Sequence, residues 1–247
     1  MSIPLAVIGC GKMGRLVEQL APEYDFTVTA KFSRSNIAAL SRESLHGASI
    51  AVEFTTPASA PANLLRLAEL GVNTVCGTTG WYDQLPQICD AVSRTHSALV
   101  YAANFSVGVN VFLGIVARAA ALFAQHPEYE AWGWEIHHSA KKDAPSGTLK
   151  KLAEEMRAAG FAGPLPLSSN RAGAHIGTHE IGFDSPSDTI TLRHTARNRE
   201  GFARGALQAV RWIQGKTGVF EFREILAELT SPQVVRAAQS SPSGNHQ

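Results

Sequence analysis

Several kinds of protein are excluded by what this 247-residue chain has little of. Charge of one sign is missing: 22 Lys and Arg face 21 Asp and Glu, a net charge of +1. Nothing in that balance would neutralise a nucleic-acid backbone or hold a polybasic patch on a membrane. Cysteine is scarce, and Cys10, Cys76 and Cys89 are an odd number without metal-ligand spacing. That argues against a disulfide scaffold and for small thiols in a reduced compartment. No unbroken apolar stretch reaches the roughly 20 residues of a membrane-spanning helix. The first residues enter an apolar run with no basic region or cleavage site, so no secretory signal is expected. A cytoplasmic protein with small-molecule partners, and no nucleic-acid or membrane partner, is predicted. The remaining composition, 45% hydrophobic and 17% charged, is that of a globular chain able to bury a core.

Hydrophobic periodicity divides the chain into two styles. Up to about residue 105, short apolar runs alternate with helical patterns. Strands are expected at 5–8, 26–30, 49–54, 73–76 and 98–102, with helices at 12–20, 57–70 and 82–94. Such alternation predicts an α/β fold with a Rossmann-type, doubly wound parallel sheet. After Asn104 a long helix (107–123), a strand (131–138) and a helix (146–159) are expected. Two strands (178–183 and 189–195) follow around the turn-prone Asp184–Asp188. This part predicts a second, smaller, antiparallel α+β domain. A helix at 201–214 and a final strand and helix within 219–229 return to the first style. The domains are therefore expected at 1–105 with 199–230 (dinucleotide) and 106–198 (substrate), followed by a polar tail at 231–247.

Gly9-Cys10-Gly11-Lys12-Met13-Gly14 joins the first strand to the first helix. A tight turn at Gly9, open backbone at Gly11 and close packing at Gly14 would seat a pyrophosphate on the helix N-terminus. A structural turn of no further purpose is the plainer alternative. After the second strand stand Lys31, Phe32, Ser33, Arg34 and Ser35, with no carboxylate for a ribose 2′-hydroxyl. A hydroxyl and cations suit a 2′-phosphate instead, which favours NADPH and leaves NADH possible. Gly77-Thr78-Thr79 and Ala102-Ala103-Asn104-Phe105 lie where the fourth and fifth strands end, the usual place for a ligand across the sheet edge.

The segment from Glu135 to Thr148 concentrates chemistry. In an extended strand Glu135 and His137 share one face, while Trp132, Trp134, Ile136 and His138 share the other. Pro145-Ser146-Gly147-Thr148 then opens a helix, whose free amides and hydroxyl would receive a carboxylate. Lys141 or Lys142 would add a charge-assisted bond, and a histidine could relay a proton. Zinc is not expected, because neither a cysteine nor a third histidine stands at ligand spacing. Taken one by one, these features are equally the marks of a helix cap and a structural histidine pair.

The run Glu135–Thr148, with its two histidines, lysine, aspartate and Pro-Ser-Gly-Thr, resembles the signature of the dihydrodipicolinate reductases. The similarity extends over Gly9–Gly14, Gly77–Thr79, Ala102–Gly108, Gly177–Glu180, Gly218–Phe220 and Arg223–Leu226, most of the chain. The resemblance implies reduction of dihydrodipicolinate, a cyclic dicarboxylate, in diaminopimelate and lysine biosynthesis. It places the catalytic roles on His137 and Lys141, and substrate-carboxylate contacts on His138, Gly147 and Thr148. The cofactor would meet Gly9, Lys12, Met13, Gly77, Thr79, Ala102, Phe105 and a late arginine, Arg199. Two departures stand out. The acid usual after the second strand is replaced by Ser33 and Arg34, and the second domain is shorter between Phe183 and Thr195. The resemblance implies a homo-oligomer, a tetramer in the family, with a dimer the alternative here. Two rival readings are a dehydrogenase of another small carboxylate and a non-catalytic NADP-binding sensor, neither of which needs the His-His-Lys run.

Overall fold

The protein is described from a computed structural model covering residues 2–229. The expected polar tail at 231–247 lies outside the described residues. The described residues form two compact units, one of residues 2–105 and 202–229 and one of residues 106–201.

The first unit holds a six-stranded sheet in which every pairing is parallel. Along the chain come β1 (Ile3–Ile8), α1 (Lys12–Leu20), β2 (Phe26–Phe32), β3 (Ile50–Glu53), α2 (Ala60–Glu69), β4 (Asn73–Cys76), α3 (Leu85–Thr95) and β5 (Ala98–Tyr101). Residues 5–8 and 50–53 are buried without alternation, as strands covered on both faces must be. Two helices begin later than their periodicity predicts. Amides of Ser59 and Ala60 bond to the Thr56 carbonyl, so Pro57 sits in a turn and Pro61 in the first turn of α2. A short 3₁₀ turn at Tyr82–Gln84 similarly precedes α3.

The second unit begins with α4 (Val107–Phe123), capped by the Ser106 hydroxyl, which accepts the Val109 amide at 3.3 Å. β6 (Glu130–His137), α5 (Gly147–Ala158), β7 (Leu167–Arg171), β8 (Gly177–Asp184) and β9 (Thr189–Ala196) follow. Their sheet has the order β7-β6-β8-β9. The expected all-antiparallel domain is thus corrected: β7 is an extra edge strand, and it runs parallel to β6. Leu167-Ser-Ser-Asn-Arg carries one apolar residue, so it has no hydrophobic period to read. β8 and β9 pair without a break from Gly177↔Ala196 to Asp184↔Thr189, across a short turn at Ser185–Asp188. Phe112, Leu113, Val116, Leu149, Leu152, Met156, Ile181 and Phe183 form the core between the helices and one face of this sheet.

α6 (Glu200–Trp212), β10 (Gly218–Glu221) and α7 (Phe222–Leu229) complete the first unit. Asn73 ties this return in place: its amide donates to the Ile213 carbonyl at 3.1 Å, and its oxygen accepts the Ala98 amide at 2.8 Å.

The sheet order β10-β5-β4-β3-β1-β2 reverses direction at β1, with β2 on one side and β3 on the other. That switch point opens a crevice at the carboxyl ends of the strands. Gly9 has φ +102°, and a methyl group there would strike the Phe54 carbonyl. A methyl at Gly14 would strike the Gly9 carbonyl, so α1 starts as close to the turn as backbone allows. The Gly14→Ala variant should lose about 1–3 kcal/mol, as overpacked sites do, and melt several degrees lower. An unchanged melting temperature in calorimetry would contradict this close approach.

Candidate functional site

Register lines up the strand ends of the first unit. Phe32, Ile8, Glu53, Cys76 and Tyr101 stand in one row across β2, β1, β3, β4 and β5. The next residues therefore meet along one edge: Ser33, the glycine turn, Phe54, Gly77 and Ala102. Hydrogen bonds seal this edge, from Gly9 N–H to the Phe32 carbonyl (2.7 Å), Gly77 N–H to the Glu53 carbonyl (2.9 Å) and Ala102 N–H to the Cys76 carbonyl (3.2 Å).

The edge fits a dinucleotide. Gly11 has open space beside it, and α1 carries no side-chain cap and no acid in its first turn. Its first amides are thus left for a phosphate. Lys12 is exposed and Met13 half-buried beside them, and Cys10 turns its thiol to the Phe32 carbonyl at 3.5 Å. Other members of the edge work as braces. The Thr78 hydroxyl accepts the Thr55 amide at 2.8 Å, and the Phe105 ring is buried against Phe222 and Phe54. Thr79 and Ala103 are exposed, and Asn104 is half-buried. Arg34 is exposed beside Ser33, whose amide is held by Asn36 Oδ1 at 2.7 Å. Lys31, the other cation at this strand end, is instead paired with Glu18 at 2.8 Å. Arg199 is exposed just ahead of α6 and lies in the second unit.

In the second unit the chemistry converges on a carboxylate. Glu135 on β6 is fully buried and faces the core side of its sheet, as its position in the strand predicts. One oxygen, Oε1, accepts three hydrogen bonds: Ser146 N–H (2.8 Å), Ser169 Oγ (2.9 Å) and Arg171 Nη2 (2.8 Å). These donors come from the N-cap of α5 and from β7. The other oxygen, Oε2, lies 3.5 Å from His137 Nδ1 and 3.4 Å from His179 Nε2. Antiparallel pairing explains His179, since β8 sets it directly opposite Glu135. Ser146 Oγ lies 3.1 Å from His179 Nε2 while accepting the Leu149 amide at 3.2 Å, so one serine links the helix cap to the histidine.

Electrostatics sets the protonation states. Burial alone would raise the Glu135 pKa, but the bonds from Ser146, Arg171 and Ser169 outweigh it and hold the pKa at about 2. Burial lowers the pKa of His137, and Lys141 and Arg171 add to this against the opposing pull of Glu135. Burial, then His137, take His179 down to about 4. Both rings are therefore neutral near pH 7 beside an ionised carboxylate.

The expected substrate residues surround this cluster. His138 lies just past the end of β6, not within the strand, and its amide donates to the His175 carbonyl at 2.7 Å. Gly147 is exposed and Thr148 half-buried in the first turn of α5. Lys141 Nζ is paired with Asp143 at 2.7 and 2.9 Å, so it meets an incoming carboxylate only by sharing or leaving that partner. Reading the sequence for function marked Ser146 as a helix start but missed the roles of Ser169, Arg171 and His179, which reach Glu135 through pairing no local pattern displays. No third histidine at ligand spacing is visible in the sequence, yet ligand atoms of Glu135, His137 and His179 lie within 4.8 Å of one another.

Two family models divide the chain between them: "Dihydrodipicolinate reductase, N-terminus" matches residues 3–105 and "Dihydrodipicolinate reductase, C-terminus" residues 108–226. The 4-hydroxy-tetrahydrodipicolinate reductase of Christiangramia forsetii is 31% identical over 238 residues, covering 91% of this chain and 98% of the relative. The chain belongs to the dihydrodipicolinate reductase family. The corresponding reductase of Caulobacter vibrioides is 35% identical over 252 aligned positions, with 91% of this chain and 97% of that one covered. A dipicolinate-bound dihydrodipicolinate reductase from Paenisporosarcina sp. TG-14 shares the fold, with a TM-score of 0.76. It is 22% identical, with 91% of this chain and all (100%) of that one covered. This reductase is accordingly a pyridine-nucleotide-dependent oxidoreductase. Among its described residues no helix is long and apolar enough to cross a membrane.

Glu135 makes the reductase acid-sensitive. Its folded-state pKa lies below the ordinary 4.5, so its contribution is complete above pH 4.5 and is lost as pH falls towards 2. A depression of that size corresponds to about 3 kcal/mol. Urea unfolding between pH 7 and pH 3 should show about 2 kcal/mol of that loss in the parent. In Glu135→Gln it should be largely absent, with stability at pH 7 already lower by about 3 kcal/mol because Arg171 loses its counter-charge. Parallel pH profiles would contradict the assignment.

Proposed function

We propose that this reductase converts dihydrodipicolinate, formed from 4-hydroxy-tetrahydrodipicolinate by loss of water, to tetrahydrodipicolinate in diaminopimelate and lysine biosynthesis, and that it favours NADPH. The observation carrying this reading is the convergence of His137, His179 and the amide end of α5 on Glu135. Bound reduced nicotinamide supplies a hydride to C4 of the substrate ring. The protein supplies orientation, charge and a proton. Amides of Gly147 and Thr148 at the helix N-terminus, with Lys141 and His138, receive a substrate carboxylate. Hydride arrival pushes electrons towards the ring nitrogen, and the neighbouring carbon then takes a proton. His137, neutral at rest, first takes a proton from solvent and then donates it to that carbon. Its side chain is only 9% exposed, and a methyl at Gly177 would come within 2.9 Å of its Nε2, so space at that glycine keeps the ring where it is. The Glu135 carboxylate, 3.5 Å from Nδ1, stabilises by its charge the cationic form that passes on the proton.

Preference for NADPH is supported by Ser33 and the exposed Arg34 at the end of β2, where no acid stands to bond a ribose hydroxyl. NADH would still be used, because the phosphate-binding backbone is indifferent to the 2′ substituent. A cytoplasmic location and a homo-oligomer, tetrameric or dimeric, belong to the same proposal.

The test is loss of reduced-nicotinamide absorbance with freshly generated 4-hydroxy-tetrahydrodipicolinate. NADPH should be oxidised faster than NADH, and Arg34→Ala should reduce that ratio severalfold. His137→Ala should lower kcat by about 10²–10⁴-fold, the range for general acids, with less change in KM. Lys141→Ala should both raise KM and lower kcat. Nucleotide binding without oxidation would favour the sensor reading, and an unaltered kcat in His137→Ala would remove that residue from the chemistry.

A further inference from the structure

We infer that Glu135, His137 and His179 form a transition-metal site of the zinc class, and that an ion bound there switches the reductase off. All three side chains are more than nine-tenths buried, at 0%, 9% and 6% exposure. Among the described residues, Glu135 Oε2 and His137 Nδ1 are buried with no hydrogen-bond partner. These two orphaned atoms face each other at 3.5 Å, and His179 Nε2 lies 3.4 Å from the same oxygen.

Those separations are long for hydrogen bonds, which cluster at about 2.7–3.2 Å. They suit a shared ion instead. Two ligand atoms each about 2.1 Å from a tetrahedral metal lie roughly 3.4 Å apart. Two imidazoles and one carboxylate are a zinc donor set, with a fourth position left for water. Surrounding groups support the carboxylate ligand as an outer shell should: Ser146, Ser169 and Arg171 saturate Oε1 and leave Oε2 aimed at the two rings. The neighbouring cations Arg171 and Lys141 oppose any added positive charge, and Asp143 on Lys141 offsets part of it. That environment disfavours hard ions held by oxygen alone and favours an ion gripped by imidazole nitrogen.

Inhibition follows because the ion occupies the Nδ1 side of His137 and ties the ring to Glu135, so the ring no longer accepts and passes on a proton. This consequence rests on His137 being the acid proposed above; the binding itself does not.

The experiment titrates the chelator-treated full chain with Co²⁺ alone and follows visible absorption, then adds Zn²⁺. One equivalent of cobalt should produce the intense bands of tetrahedral coordination, and zinc should abolish them. His179→Ala should weaken cobalt binding by more than about 100-fold, beyond the loss of an outer-shell partner. Parent protein without tetrahedral bands, or bands undiminished in a folded His179→Ala, would overturn the site. If that variant does not fold, X-ray absorption of the zinc-loaded parent decides. Two imidazoles with an oxygen ligand uphold the site, and a single imidazole or oxygen alone overturns it. Turnover is then measured at zinc levels fixed by a metal buffer, since the dicarboxylate substrate itself chelates. Activity should fall in step with occupancy, and full activity in zinc-loaded protein would overturn the switch. A chain that binds zinc but never oxidises NADPH would sink the proposed function and leave the site standing.

Discussion

A single buried carboxylate organises the second unit. Glu135 sits where three segments distant in sequence must meet: the cap of α5, the edge strand β7 and the central strand β8. An ionised carboxylate without partners would be very costly in such a place. Its three donors on one oxygen remove that cost, and in doing so fix the start of α5, the helix proposed to offer its amides to a substrate. The second oxygen is left to the histidines. Stability and chemistry thus draw on the same group, with one oxygen for each.

The first unit works by different physics. Backbone geometry shapes its ligand-facing edge, with the buried Glu53 braced behind it by Asn63 at 3.2 Å and Cys76 at 3.3 Å. Parallel register brings five strand ends into one row, and glycine at positions 9 and 14 lets a helix begin almost on top of the strand it follows. A phosphate needs only amides in the right direction there, so the proposed preference between nucleotides rests on the side chains after β2, Ser33 and Arg34. Lys31 has the right charge for a 2′-phosphate but pairs with Glu18.

Most of this architecture is legible in the amino-acid sequence, for identifiable reasons. The parallel sheet can be read because strands buried on both faces are unbroken apolar runs, and the glycine turn because its three positions have separate steric demands. The facing of Glu135 and His137 follows from strand alternation. β7 stays hidden because a polar edge strand has no hydrophobic period. Ser169, Arg171 and His179 stay hidden as partners because sheet pairing, not spacing along the chain, brings them to Glu135. Helix starts near Pro57 and Tyr82 drift because turns bonded to Thr56 and Trp81 take up the first residues.

The central claim is that the Glu135 carboxylate arranges the acid and the anion-binding helix end together. Its most direct test is NADPH oxidation by Glu135→Gln at pH 7, beside direct measurement of NADPH binding in the same folded sample. Nucleotide affinity should be nearly unchanged, since the glycine turn belongs to the other unit, with kcat lowered by at least about tenfold as the acid loses its orientation. A folded variant that turns over substrate as fast as the parent would contradict the claim.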